Sequence, residues 1–211
     1  MILLAIDTAA ALCAASIHDT ARGELGREVR DLGKGHAEHL MEVIALAMNR
    51  ADVAYADLGA VAVSVGPGSF TGVRVGVATA RGLALALKVP AVGVSTLEAL
   101  AAEARDGAQG RAVLARIDAG RGQAYIASYS ASGEPVLMPA VVTVDEAARI
   151  AGEAGDAMVV EGRTADIAVF ARLAAERIAS GTAIAPPKPL YLRDADAKPQ
   201  TAFALPRAAA S

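Results

Sequence analysis

SVGPGSFTGVRVGVATARGLALAL, residues 64–87, places Gly66, Gly68 and Gly72 with Pro67, Ser69 and Thr71 in a short loop, then runs into an alanine-rich helical pattern. Two readings compete. As an anion cradle, Ser69, Thr71 and the unpaired amides of the first helical turn would draw negative charge. As a joint, Gly66 and Gly68 supply unusual backbone angles and Ser69 or Thr71 caps the helix, leaving Phe70 to pack or to dock. The loop is not a Walker A sequence, because Val73 follows Gly72 where a lysine is required. A buried strand that turns straight into a helix needs such residues anyway, so the joint is the favoured reading.

Beyond the loop, Gly72, Gly76, Ala80 and Ala84 recur every fourth residue and form a side-chain-poor ridge on which another helix can pack closely. Val73, Val75, Val77, Leu83 and Leu87 make this helix more apolar than one buried face requires, which predicts burial on several sides. A second amphipathic helix carries Leu40, Val43, Ile44, Ala47 and Met48 at i, i+3, i+4, i+7 and i+8 and ends near Arg50.

Working outward, residues 2–7, 12–18 and 23–30 read as three sequential strands, an antiparallel meander. Residues 60–65 form a buried strand ending at the glycine loop, and a helix over 71–88 follows it. A short strand at 91–94 leads into a helix over 95–104, with Ser95 as N-cap and Glu98 at the capping-box position. Meander and right-handed parallel crossovers together predict a mixed α/β sheet. The pattern breaks in a polar linker at 105–111. Strands at 112–118 and 123–130, a helix near 144–153, a strand at 157–162 and a helix over 167–178 then predict a second unit. We therefore expect domains at 1–105 and 106–211, with the last dozen residues of the proline-rich end disordered.

Composition limits the function. The 211 residues suffice for a sizeable core. Apolar residues make up 54% and aromatics 3%, so that core must be built from small aliphatic side chains. A net charge of −3 and the lack of a Lys/Arg run argue against a free-standing nucleic-acid binder. The lone Cys13 excludes an internal disulfide and fits a reducing cytosol. "MILLAI" has no basic leader and reads as a strand, and Arg74, Arg81 and Lys88 interrupt the longest apolar stretch, so no membrane partner is expected.

Chemistry-bearing side chains are few. His36 and His39 lie at i and i+3 with Glu42 extending the row, but no fourth ligand is in view, and the reading is a capped, solvated first turn. His18 reads as an exposed strand terminus, and Cys13 as an inert thiol in an apolar strand.

"ILLAIDTA", "GHAEHL", "GPGSFTGVRVGVATARGLALAL", "VGVSTLEALA", "IDAGRGQAYIASY" and "PLYLRD" together, in this order, resemble the TsaB (YeaZ) family, with "GPGSFTGVR" the most specific part. The resemblance implies a two-domain actin-like, sugar-kinase-like (ribonuclease H-like) α/β fold. It also implies a cytoplasmic, non-catalytic dimerising subunit of the machine that installs threonylcarbamoyl on the adenosine next to the anticodon of certain tRNAs. Its partners would be a TsaD-like catalytic subunit and a TsaE-like ATPase, with a homodimer when alone and tRNA met only through the complex.

The catalytic paralogue's H-x-x-x-H metal ligands would fall here on Thr96 and Leu100, and leucine cannot bind a metal. In the superfamily, Asp7 and Thr8 stand where the first strand turns into a phosphate-facing hairpin, and Asp118 opens a second hairpin. These three are the candidate nucleotide-binding residues, with ATP or ADP and Mg²⁺ as candidate ligands and no cofactor required. However, the first hairpin lacks the glycine that lets backbone amides approach a phosphate. A sugar-kinase-type phosphotransferase or ATPase is the alternative function, and a metallopeptidase is less favoured. The implied interface is a four-helix contact through His36, His39, Leu40, Val43, Ile44 and Met48 of one helix. Phe70, Gly72, Val73, Gly76, Val77, Ala80 and Ala84 of the other complete it. On that reading, glutamate at Ala80 or Val77 is expected to abolish pairing and leave the monomer folded.

Overall fold

Ile2–Asp7 (β1) is apolar up to its last residue and buried from Leu3 onward, so it sits in the middle of a sheet. The computed structural model describes residues 1–181 and 183–193. Leu12–Asp19 (β2) and Gly23–Asp31 (β3) extend β1 as an antiparallel meander, with Leu4 opposite Ile17 and Ala14 opposite Val29. Leu58–Ser64 (β4) and Ala91–Val94 (β5) add in parallel on the other side, giving the order β3-β2-β1-β4-β5.

Two helices cover one face. His36–Ala51 (α1) follows β3, and Phe70–Leu87 (α2) follows β4. Leu40, Val43, Ile44 and Met48 of α1 pack there with Val73, Val77, Ala80 and Ala84 of α2 against Leu4, Ile6, Val61 and Val63.

On the other face, Thr96–Ala104 (α3) and Ile167–Ala179 (α5) lie between this sheet and a second one. That sheet consists of Val113–Gly120 (β6), Gln123–Tyr129 (β7), Pro135–Thr143 (β8) and Met158–Glu161 (β9), in the order β8-β7-β6-β9. Val144–Glu153 (α4) covers its far side through Ala147. A single core joins Leu3, Ala5 and Val94 of the first sheet to Val113, Ala115 and Tyr129 of the second, with Phe170 fully buried between them. Helix α5, from the second half of the chain, packs on β1 and β2 of the first sheet. These two mixed sheets with flanking helices are the α/β class that the resemblance implies.

Two local expectations change. β8 was not foreseen, because Pro135 and Pro139 disguise a strand. At the edge of a sheet a missing amide is tolerated, and β8 pairs only with β7. Ser95 does stand at the N-cap of α3 but makes no capping bond. Glu98 instead grips Arg177 of α5, whose guanidinium also reaches the Gly93 carbonyl.

By length and hydropathy α2 is the one described helix that matches a membrane span. One of its faces is nevertheless seated on the sheet, and Arg74 and Arg81 stand on the other. The disorder expected at the chain end lies outside the described residues.

Candidate functional site

The glycine loop meets the β1–β2 hairpin at van der Waals limits. A Cβ at Gly68 would stand 2.1 Å from the Ala9 carbonyl oxygen, and one at Gly72 would stand 2.0 Å from that of Thr8. One at Gly76 would stand 2.5 Å from the Thr8 hydroxyl. The ridge therefore exists so that α2 can approach its own sheet and hairpin, and no partner helix is needed to explain it. The loop is bonded in the same sense: the Ser69 amide donates to Ala9 O at 2.6 Å, and Thr8 Oγ1 donates to Gly72 O at 2.7 Å. Ser69, not Thr71, caps α2, its Oγ accepting from the Gly72 amide at 3.2 Å.

This joint changes the reading of the candidate nucleotide residues. Asp7 is buried, and both of its carboxylate oxygens have partners: Oδ1 accepts from the Ala9 amide at 2.9 Å, and Oδ2 from the Thr164 hydroxyl at 2.5 Å. Thr8 is fully buried, with its hydroxyl committed to α2. With both side chains committed within the chain's own fold, neither Asp7 nor Thr8 is a ready ligand for a Mg²⁺-bound phosphate. Asp118 lies apart on the second sheet, where its Oδ1 accepts from the Gly120 amide at 2.8 Å.

Between the sheets opens a cleft of about 750 Å³, bounded by Ala9–Ala11, the glycine loop, Asp118 and the segment 189–193. That segment is a strap: the Leu190 amide donates to Val65 O at 2.8 Å, and Arg193 reaches the Ala119 carbonyl at 3.1 Å. At the cleft mouth the Arg74 guanidinium lies 3.7 Å from the centre of the Phe70 ring. Its Nε donates to the Tyr191 hydroxyl at 2.7 Å. The role of "PLYLRD" is not legible in the sequence, since an extended proline-rich segment does not show what it crosses.

The expected interface residues divide sharply. Leu40, Val43, Ile44, Met48, Gly72, Val73, Gly76, Val77, Ala80 and Ala84 are buried in the chain's own core and are not available to a partner. Glutamate at Ala80, which is 0% exposed, would place a charge against the sheet and unfold the monomer, contrary to the expectation. Phe70 stays outward at 48%. The outward row of α2 is Arg74, Ala78, Arg81 and Leu85, the last 81% exposed, and Met41 on α1 is 50% exposed.

The histidines are also corrected. His36 is buried, not solvated, with Nε2 3.2 Å from the Leu12 carbonyl oxygen. Glu42 chelates Arg30 at 2.8 and 2.9 Å, while His39 stands 3.9 Å from it. Among the described residues no group of three His, Cys, Asp or Glu side chains converges on a metal position. Thr96 and Leu100 are packed in the core, and Leu100 is wedged against Gly162. Cys13 is buried, and burial, moderated by Arg30, pushes its thiol up to about 11. His18 is half-buried at the end of β2.

Comparison with known proteins adds a separate line of observation. The family model of TsaD, tRNA N6-adenosine threonylcarbamoyltransferase, matches residues 30–186. The tRNA threonylcarbamoyladenosine biosynthesis protein TsaB of Escherichia coli is 36% identical over 61% of this chain and 55% of its own length. TsaB of Bacillus subtilis is 38% identical over 61% of this chain and 55% of its own. The match thus spans little more than half of each of these two curated relatives. An uncharacterised protein of Mycobacterium tuberculosis is 36% identical over 93% of this chain and 94% of its own. Among solved structures, YeaZ from Pseudomonas aeruginosa aligns with a TM-score of 0.73 at 27% identity, covering 90% of this chain and 99% of that one.

Proposed function

The chain belongs to the TsaB (YeaZ) family, and on that premise we propose that it is a non-catalytic activator subunit in threonylcarbamoyladenosine formation on tRNA. It pairs with a TsaD-like catalytic chain and favours that chain's active shape by mass action. A TsaE-like ATPase joins the pair in the cytoplasm. tRNA is met through the complex, and the subunit requires no cofactor of its own.

The observation that carries this reading is the outward face of α2. With its ridge seated on the sheet, the helix presents Arg74, Ala78, Arg81 and Leu85 outward in one row, and Met41 is exposed on α1, which packs against it. An exposed leucine flanked by small residues and arginines is the makeup of a protein-docking face. When the partner is absent, a second copy would cover the same face, giving a homodimer that competes with the heterodimer. The occupied oxygens of Asp7 and the committed hydroxyl of Thr8 support a subunit that leaves the chemistry to its partner.

The test is reconstitution of tRNA modification from TsaD, TsaE, tRNA, ATP, threonine and bicarbonate, with and without this chain. Omission should abolish product. Leu85→Glu should lower it at least tenfold and break both pairings in size measurements, with thermal unfolding unchanged. Product formed equally well without the chain would refute the proposal.

A further inference from the structure

A groove of about 600 Å³ opens at the C-terminal end of α2, where the helix meets the residues that lead into the strap. Its walls are apolar: Leu85 and Val89 at the helix end, Pro90 before β5, and Ile184, Pro186 and Pro187 from the chain's approach to the strap. The prolines have fixed backbones, so the groove needs little ordering when it is filled. Arg81 and Lys88 stand at its rim on one side of α2, two turns apart, and no acidic side chain is among its lining residues. A helix C-terminus by itself repels carboxylates. Here the Ala84 and Leu85 carbonyls already accept from the Lys88 and Val89 amides, so the two cations set the sign of the rim. The groove also continues the docking face, since Arg81 and Leu85 belong to both. An apolar trough with cations at its rim is complementary to an amphipathic segment whose apolar side chain is flanked by carboxylates.

We propose that this groove takes an acidic, apolar helical segment of the partner chain, with a leucine-sized side chain seated among Leu85, Ile184 and Pro187 and its carboxylates on Arg81 and Lys88. The inference rests on the assembly reading and deepens it, because it states what the partner must bring to one end of the α2 face. The apolar walls supply the contact area, and the cations exclude segments of the wrong charge.

The test uses the full chain with two probes, a TsaD-like chain and a labelled, N-acetylated helical peptide of leucine, alanine and glutamate. The peptide should bind and be displaced by the TsaD-like chain, and its affinity should fall severalfold as salt rises from about 0.05 to 0.5 M. The same peptide with lysine for glutamate should not bind. Arg81→Gln and Lys88→Gly should each weaken both probes at least fivefold, and Arg22→Gln on the far surface should weaken neither. Lys88 has φ 57°, a conformation that suits glycine, so Lys88→Gly removes the cation while its urea midpoint stays at or above the parent's. If Leu85→Glu breaks pairing while both rim variants bind the TsaD-like chain as the parent does, the assembly reading stands and this proposal falls. Pairing untouched by Leu85→Glu would remove the assembly reading and this proposal with it. Equal binding of the glutamate and lysine peptides, or no binding of either, would overturn the proposal. Rim variants that weaken only the homodimer would assign the groove to a second copy and overturn it as well.

Discussion

At the scale of single residues, α2 holds two glycines with opposite meanings. Gly72 faces the Thr8 carbonyl at a distance no methyl group tolerates, whereas a Cβ at Gly82 meets nothing within 4 Å. Gly72→Ala should therefore lower stability by about 3 kcal/mol, the upper end of overpacking. Gly82→Ala should raise it by about 0.5–1 kcal/mol through helix propensity. Urea midpoints measure both, and equal effects would contradict the joint as described. Cys13 makes a second case. Its thiol is neutral in the fold, with a pKa raised from 9.0 to about 11, so the native state holds a proton that the unfolded chain releases between those values. The stability linked to this proton is complete below pH 9 and is lost as pH rises toward 11, by roughly 2–3 kcal/mol. Cys13→Ala should remove that part of the alkaline slope, and a thiol reagent at pH 8 should label Cys13 only when the chain unfolds.

At the scale of elements, α5 is fixed at its start by one carboxylate. Asp166 accepts from the Ala168 amide at 2.9 Å as N-cap and takes Arg27 of β3 at 2.7 Å. Partial burial alone would raise its pKa, but the Arg27 hydrogen bond and the Ala168 amide outweigh it and the net shift is downward. The linked stability is thus present above the ordinary carboxylate range and is lost as pH falls through the lowered value. Both partners of the ion pair are about two-fifths exposed, so solvent screens it and the cap is the larger share. Asp166→Ala should cost about 1 kcal/mol and Asp166→Asn only a few tenths. Equal losses in the two variants would assign the effect to the ion pair. At the free edge, β8 carries Met138 at 67% exposure, and Met138→Lys should change stability by less than about 0.5 kcal/mol.

At the scale of the whole molecule, the two sheets share one core through α3 and α5, and Arg177 ties α5 to both Glu98 and the Gly93 carbonyl. A chain wired in this way should unfold as a single unit although its sequence reads as two. Urea transitions followed by far-UV circular dichroism and by tyrosine fluorescence, with Tyr125 and Tyr129 reporting on the second sheet, should coincide. Separate transitions would mean that the sheets unfold independently. The strap belongs to the same scale, since Leu190 holds the first sheet and Arg193 the second.

Local patterns in the sequence were enough to read the meander, the parallel crossovers and the helices of both halves, because strand alternation, helical period and capping residues are short-range properties. They also favoured a joint over a phosphate cradle at the glycine loop. β8 escaped because its prolines are tolerated only at a sheet edge, and an edge exists only once a sheet has formed. The direction of the glycine–alanine ridge was likewise not legible: a side-chain-poor row allows close approach by a helix or by a sheet, and only packing shows that it meets Thr8 and Val63. Tertiary structure decided which groups are already paired and which are left to meet a partner.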